Sequence, residues 1–479
     1  MEDKEKLYIS HKGTIERKRN AYIGPGDFKA AGFPQEEWPR LVKELEFDET
    51  LFKDYFTFSE VDKEMDQTKS KELINKYLMR EDLFKFITEE ELDKKIVREY
   101  GTRKAIFLCA AGGRLVENCQ IASYNLLIND EAGTGKDYIT GKTLEILPKE
   151  VYIKKTRISP TVFTYWHNSE YEPEWTWDGK VFYTEDISES VLNSEVFKVM
   201  CSSGSEATIV IRQRAIDIDI VGKPVMITTT ATATPSPELT RRFEIVNLNE
   251  SIDQTKEIMK RHCEYAIKGI TPEYNSEITL ALSLLERVKV KIPFADKLHS
   301  LFPARSLMMR TKFPRFLDFI KASTAFHQFK REKDDEGYLI AEGQDYDIAT
   351  EVMKKLSSNK YLISLTRNQR RIVEHLESMI KINPEYSESA SKIREQMSNF
   401  ISLPAIQTNL SIMSGYGIFS VKLEDGINGR EIERFTINEN IKDSDSIIFP
   451  SFDVLQCKVS KVSKVSKVSK PIKATKGEK

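Results

Sequence analysis

The feature that most constrains the fold is one run, Leu126 to Asp137, reading LLINDEAGTGKD. Its apolar start predicts a short buried strand, Tyr124–Asn129. Gly133 and Gly135 flank Thr134, Lys136 and Asp137 follow, and a helical pattern runs from Tyr138 to Leu147. Strand, glycine turn, lysine and helix make an order with a physical purpose. Glycine lets the backbone take left-handed angles, so successive amides can converge on one point. A helix start adds the positive end of its dipole to those amides, and the lysine completes a cradle for a polyanion. Such a turn needs a sheet behind it, which predicts an α/β core.

The spacing approximates the phosphate loop GxxxxGK[ST], with Ala132, Gly133, Thr134, Gly135, Lys136 and Asp137 as the nucleotide-binding stretch. Two positions depart from it. Asp130 stands where the first glycine belongs, and Asp137 stands where a Ser or Thr normally meets Mg²⁺. An aspartate there holds the metal through water while adding negative charge beside the phosphates. Gly-Lys-Asp also occurs in some nucleoside monophosphate kinases, which keeps a second reading open. Taken alone, the run is also compatible with a glycine-rich turn that merely ends a strand.

Three further runs read as strands: Val162–Tyr165, Lys180–Thr184 and Pro224–Thr229. The second ends in Glu185 and Asp186, about 50 residues after the loop. A strand ending in two acids suits ATP hydrolysis: one carboxylate, assigned to Glu185, holds Mg²⁺, and the other, Asp186, polarises the attacking water. The two can exchange roles. Without the loop, the same acids read as a strand followed by a helix N-cap at Asp186 or Ser188. The third strand ends in hydroxyls, Thr228 to Thr230, and Arg241-Arg242 follows shortly after.

This order resembles the AAA+ ATPases, and more closely the superfamily 3-like helicases of plasmids, phages and archaeal mobile elements. The resemblance covers about 120 to 350, with weaker cover to 438. It implies that Gly133-Thr134-Gly135-Lys136 is Walker A, Glu185-Asp186 is Walker B and Thr230, with Thr229 second, is the sensor beside the γ-phosphate. Arg241-Arg242 then holds the finger that reaches a neighbouring subunit's nucleotide. In such ATPases the sensor strand lies between the loop strand and the acidic strand. Trp177-Asp178-Gly179-Lys180-Val181 and Arg315-Phe316-Leu317-Asp318-Phe319 also resemble phage-type helicase sequence. Asp345-Tyr346-Asp347-Ile348-Ala349 resembles the end of a helical lid, in which Arg310 and Arg315 read first as the charged outer face of an amphipathic helix and second as candidates for a further sensor arginine. Between the acidic and threonine strands, Thr208 to Ile220 alternates like two strands. Superfamily 3-like helicases place a DNA-gripping channel hairpin there, which assigns Arg212 and Arg214 to DNA phosphates. The departures at Asp130 and Asp137 bear on metal coordination and not on the fold.

The expected organisation is a helical N-terminal region (1–100), an AAA+-like P-loop ATPase core (101–255), a helical lid (256–360), a winged helix (361–445) and a basic tail (446–479). In the N-terminal region Gly24-Pro25-Gly26 reads as a turn. Amphipathic helical stretches are expected at Phe313–Arg331 and Asp345–Leu356. The winged helix is read from three helical stretches and a hairpin. The first carries Ile372, Val373 and Leu376 toward a core; the second runs near Ala390 to Met397; the third starts after Ser402. Strands Ile418–Glu424 and Arg430–Ile437 flank the turn Asp425-Gly426-Ile427-Asn428-Gly429. In that plan Gln407 and Asn409 face the DNA major groove, and Lys422 and Arg430 lie on the wing. A protein-binding winged helix or a helical cap fits the same pattern.

Net charge alone misleads. The chain carries −2 over 479 residues, but Lys-Val-Ser repeats four times from Lys458, and Lys458 to Lys479 holds eight lysines against Glu478. That tail is +7, which leaves −9 on the preceding residues. No apolar run approaches the roughly 18 residues of a membrane span, and Met1 to Lys18 is too charged for a secretory leader. The five cysteines form no CxxC pair, so neither a structural zinc nor a disulfide framework is expected, and the setting reads as cytoplasmic. The combined expectation is a homo-hexameric, Mg²⁺- and ATP-dependent DNA helicase or translocase acting in DNA replication. It holds single-stranded DNA in its channel and duplex through the winged helix, with no membrane partner. The alternatives are an AAA+ replication initiator without processive unwinding, a nucleoside monophosphate kinase-like enzyme and a non-hydrolysing DNA-binding scaffold.

Overall fold

A computed structural model describes residues 25–30, 32, 38, 42, 68–119, 123–131, 133–165, 175–202, 205–211, 214–231, 241–269, 271–302, 309–356, 365–397, 401–415, 417–425, 431–438, 449–453 and 455. The chain divides into two units, Met1–Leu73 and Ile74–Lys479. In the first, Pro25 opens a short helix, Pro25–Ala30, rather than belonging to a turn. Proline suits a first helical position because its missing N–H has no partner there anyway. Phe28 and Trp38 are buried and meet edge to face at 5.7 Å.

In the second unit, strands β1 (Leu126–Asn129), β2 (Tyr152–Lys155), β3 (Val181–Thr184), β4 (Ser205–Ile211), β5 (Arg214–Ile220), β6 (Val225–Thr230) and β7 (Glu244–Val246) follow in order. Five of them form one parallel sheet, β2-β3-β6-β1-β7. Every residue of β1, β3, β6 and β7 is buried, as expected where helices cover both faces of a parallel sheet. Edge strand β2 reads Tyr-Ile-Lys-Lys and is half exposed, so it lacks the apolar run that marks its neighbours. Val162–Tyr165, expected as a strand, is instead a 3₁₀ turn. A four-residue apolar run does not by itself distinguish strand from helix. Here Val162 N–H bonds back to Ser159 C=O at 3.2 Å, and the place beside β3 belongs to β2.

One sheet face packs an aromatic cluster. Phe163 meets Phe182 edge to face at 5.0 Å, and Phe197 stacks on Phe243 at 6.1 Å. The longer helices of this part include α1 (Tyr100–Phe107), α2 (Lys136–Leu144), α3 (Ile252–Lys268), α4 (Met309–Phe326) and α5 (Gly343–Leu356). After α1, helical residues Leu108–Gly112 lie tightly on α4. A Cβ at Gly112 would sit 2.4 Å from the Ala322 carbonyl oxygen, so only glycine permits that approach. No helix among the described residues is long and apolar enough to cross a membrane. The described cysteines, Cys109, Cys119, Cys201 and Cys263, are free thiols.

Between β3 and β6, strands β4 and β5 form an antiparallel hairpin paired from Ser205↔Ile220 to Ile211↔Arg214. Strands β8 (Val290–Lys291) and β9 (Leu339–Ile340) make a small parallel pair. The C-terminal part holds helix α6 (Arg367–Ile382), strand β10 (Glu388–Ser389), helices α7 (Ala390–Gln396) and α8 (Leu403–Gly415), and strands β11 (Phe419–Asp425) and β12 (Glu431–Ile437). These strands form an antiparallel sheet in the order β10-β12-β11. A capping box starts α6: Gln369 N–H donates to the Thr366 hydroxyl at 3.3 Å, and Thr366 N–H donates to Gln369 Oε1 at 3.0 Å. Ile372, Val373 and Leu376 are buried, as their spacing predicts. The turn after Asp425, with Arg430, and the lysine tail lie outside the described residues.

Helix α4 is tied to the sheet by charge as well as packing. Glu244, 1% exposed at the start of β7, receives Lys312 Nζ at 2.6 and 2.7 Å and is also paired with Arg315. Removing the carboxylate strands two buried cations. Glu244→Ala is expected to lower the unfolding free energy by about 3–5 kcal/mol, measured by urea unfolding.

Candidate functional site

The loop expected to hold phosphates lies at the C-terminal end of β1, where parallel sheets place ligands. Gly133 and Gly135 have φ of 87° and 86°, both left-handed. Gly135 immediately precedes α2, so Lys136 is its first residue, and only 5% of Lys136 is exposed. The two glycines, the helix start and the sequestered lysine converge as a phosphate cradle requires. Asp130 fills the first-glycine position for a structural reason. It is 3% exposed, and its carboxylate accepts from Glu131 N–H at 2.9 Å and from Leu248 N–H at 3.0 Å. It thereby fastens the root of the loop to the segment after β7.

The acids at the end of β3 reach this loop through β6. The Thr229 hydroxyl donates to Asp137 Oδ1 and accepts from Asp186 N–H at 2.8 Å. Asp186 has φ of 40°, an uncommon region for a residue with a Cβ. It is held there from both sides: Asp186 Oδ1 accepts from Ala231 N–H at 3.2 Å, and Ile187 N–H donates to Thr229 C=O at 2.8 Å. Glu185 pairs with Lys154 Nζ of β2 at 2.5 Å. Asp137, Tyr152, Lys154 and Glu185 line one cavity of about 410 Å³ beside α2.

The structure thus brings Gly133, Gly135, Lys136, Asp137, Glu185, Asp186 and Thr229 to one end of the sheet. Thr134 lies in the loop with its hydroxyl on Glu131 C=O at 2.9 Å. Thr230 is adjacent but points to the other face of β6, its hydroxyl donating to Ile187 C=O at 3.4 Å. Arg241 and Arg242 precede β7, so they lie at the opposite end of the parallel sheet. Arg241 is exposed, while Arg242 bonds the Lys198 carbonyl. Arg315 is enclosed with Glu244 at the level of Leu126, far from the loop. In α8, Gln407 is exposed, but Asn409 is fully buried and donates to Ala405 C=O at 2.8 Å. Asn409 therefore does not share the polar face expected for it, because residues two apart on a helix point to different sides. Ala132 and Arg212 lie outside the described residues; Arg214 opens β5.

Two sets of residues near the site escaped the sequence reading. Lys154 belongs to the unrecognised edge strand. Arg367, Arg370 and Arg371 lie on one face of α6, at the i, i+3, i+4 spacing that was their only sequence signal. With Asp130 and Glu250 they line a cavity of about 350 Å³ against the loop root. Arg367 bonds Glu131 and reaches Glu250 at 2.8 Å.

The donor set fits a magnesium-bound nucleoside triphosphate. No cluster of three or more metal-ligating side chains occurs among the described residues. Mg²⁺ at phosphates needs only one or two carboxylates, and Asp137 and Glu185 supply them at one cavity.

The acids behind the loop are linked to pH. A hydrogen bond with Asp130, then burial and the Asp130 charge, push Glu250 up from 4.5 to about 7. The folded chain therefore holds this proton more tightly than the unfolded chain. Its stabilising contribution is complete below pH 4.5 and is lost as pH rises toward 7. Glu250→Gln is expected to flatten the fall in Tm between those pH values, measured by thermal unfolding in a pH series.

Residues 65–289 match the protein family described as MTBMA_p00010 P-loop domain. No curated protein matches the chain. Together with the parallel sheet and the glycine-lysine loop, the match shows that the chain contains a P-loop NTPase domain.

Proposed function

We propose that the chain is an ATP-dependent DNA helicase or translocase of the AAA+, superfamily 3-like kind, acting in DNA replication. The observation that carries this reading is the place of β6. It lies between loop strand β1 and acidic strand β3 and brings hydroxyls to the nucleotide end of the sheet. That is the sensor-strand position of the ring ATPases the sequence resembles. The β4–β5 hairpin sits in the chain between the acidic and sensor strands, where such helicases carry their DNA-gripping element.

In this reading the nucleotide supplies the transferable phosphoryl group and Mg²⁺ screens its charge. Lys136 and the loop amides hold the phosphates. Glu185 and Asp137 face the metal, and Asp186 orients the attacking water. The Thr229 hydroxyl keeps Asp137 and the Asp186 backbone in register. Arg241 and Arg242, remote from their own loop, act on the next subunit's nucleotide, which calls for a ring; six copies is the proposed assembly. Arg212 and Arg214 contact DNA phosphates from the hairpin. The C-terminal helices and the β11–β12 wing serve as a winged helix, with Gln407 and Lys422 toward duplex DNA, and the lysine tail adds phosphate contacts.

Lys136→Ala is expected to abolish ATP turnover; full activity in that variant removes the P-loop reading. Replacing both Arg212 and Arg214 with Ala should leave nucleotide binding intact and reduce the stimulation of hydrolysis by single-stranded DNA. Unchanged stimulation would sink the hairpin assignment. A strand-displacement assay with ATP, combined with a mass measurement of the assembly, tests the motor itself. Melting without continued unwinding would identify an initiator instead.

A further inference from the structure

The end of the sheet away from the phosphate loop holds a second cavity, of about 310 Å³. Residues just before β3 and β6 line it, together with the turn Gly113–Leu115 and the loop carrying Arg287. Four cations face it: Arg114, Lys180, Lys223 and Arg287. The acids on its wall are Asp178 and Glu117. Asp178 is already engaged, by Arg287 at 3.1 Å and by the Lys223 backbone N–H at 3.2 Å. Glu117 is exposed.

None of the other three forms an ion pair among the described residues: Asp318 and Asp178 act on Lys223, and Glu150 on Lys180, only through their more distant charge. Arg114 is 7% exposed, its Nε has no hydrogen-bond partner, and its one bond is a long one, 3.4 Å, to Leu282 C=O. Burial alone pushes its guanidinium down to about 10. Lys223 forms no ion pair among the described residues, and burial lowers its ammonium too. Lys180 is lowered by burial and then by the charge of Arg114; its Nζ donates to Glu150 C=O at 2.8 Å and lies 5.3 Å from the Trp175 ring. Gathering cations in a partly enclosed cavity is costly unless an anion completes the site. The volume is at the lower end for a ligand pocket and admits a phosphate or pyrophosphate group.

We propose that this cavity is a second phosphate-binding site, with Arg114, Lys180 and Lys223 as its donors. The phosphate belongs either to a small molecule or to a nucleic-acid backbone. Lys223 lies in the short link, 221–224, between hairpin strand β5 and β6, so the site stands at the root of the hairpin.

The test uses the full chain carrying Lys136→Ala, so that the P-loop cannot account for the signal and failure of either site is seen separately. Inorganic phosphate, pyrophosphate and a short single-stranded oligothymidylate are each titrated and read by Tm shift and calorimetry. At least one is expected to bind, and adding Lys223→Gln is expected to weaken that binding by about tenfold. Lys223→Arg should restore it, which separates loss of the donor from loss of the fold. Binding of phosphate or pyrophosphate alone assigns a small-molecule ligand; oligothymidylate binding competed by phosphate assigns a strand. Binding that Lys223→Gln leaves unchanged, or no binding by any probe up to about 10 mM, overturns the proposal.

Discussion

The hydroxyl of Thr229 is the joint on which the candidate site depends. It gives its proton to Asp137 at the start of α2 and takes one from the backbone of Asp186 beyond β3. Helix start and acidic strand end belong to segments about 50 residues apart, and neither touches the other's strand directly in the sheet. A β-branched residue with one donor and two acceptor sites suits this task, since its χ1 is stiff and its hydroxyl serves both neighbours. The same joint explains how Asp186 keeps φ of 40°, because its amide is satisfied only when the chain turns back over β6.

Much of this site is legible in the sequence. The loop, the acidic strand end and the threonine strand are each marked by a local pattern that burial on both sheet faces imposes. What the pattern cannot carry is the pairing between strands. The two threonines at the end of β6 are equivalent as letters, yet alternation sends Thr229 to Asp137 and Thr230 to Ile187. Edge strand β2 was hidden because an edge keeps charge instead of a continuous apolar run. Asn409 looked polar and hence exposed, but its amide nitrogen donates within its own helix and the residue turns inward. Arg367, Arg370 and Arg371 were visible as a helix face, and only the tertiary fold shows that the face lies over the loop.

The two departures from the phosphate-loop pattern also become intelligible. Asp130 replaces a glycine because its carboxylate caps two backbone amides that would otherwise need other partners. Asp137 replaces a hydroxyl residue, and Thr229 brings a hydroxyl to the same place from across the sheet. A side chain lost at one position is balanced by one gained at a spatial neighbour. Charge follows a similar economy. The body is acidic, and two of the described cations beside the loop are held by specific acids: Arg367 by Glu131 and Glu250, and Lys154 by Glu185.

Strand β6 has a mechanical consequence. Its six residues span about 20 Å, are wholly buried and are bonded to a strand on each side. A slip of one residue would exchange the faces of every side chain, so the strand has no intermediate positions to occupy. One end carries the threonines of the nucleotide site; the other continues through Lys223 and Pro224 into the hairpin. The candidate nucleotide site and the hairpin are thus joined by a single unbroken piece of backbone, clamped in register along both its edges.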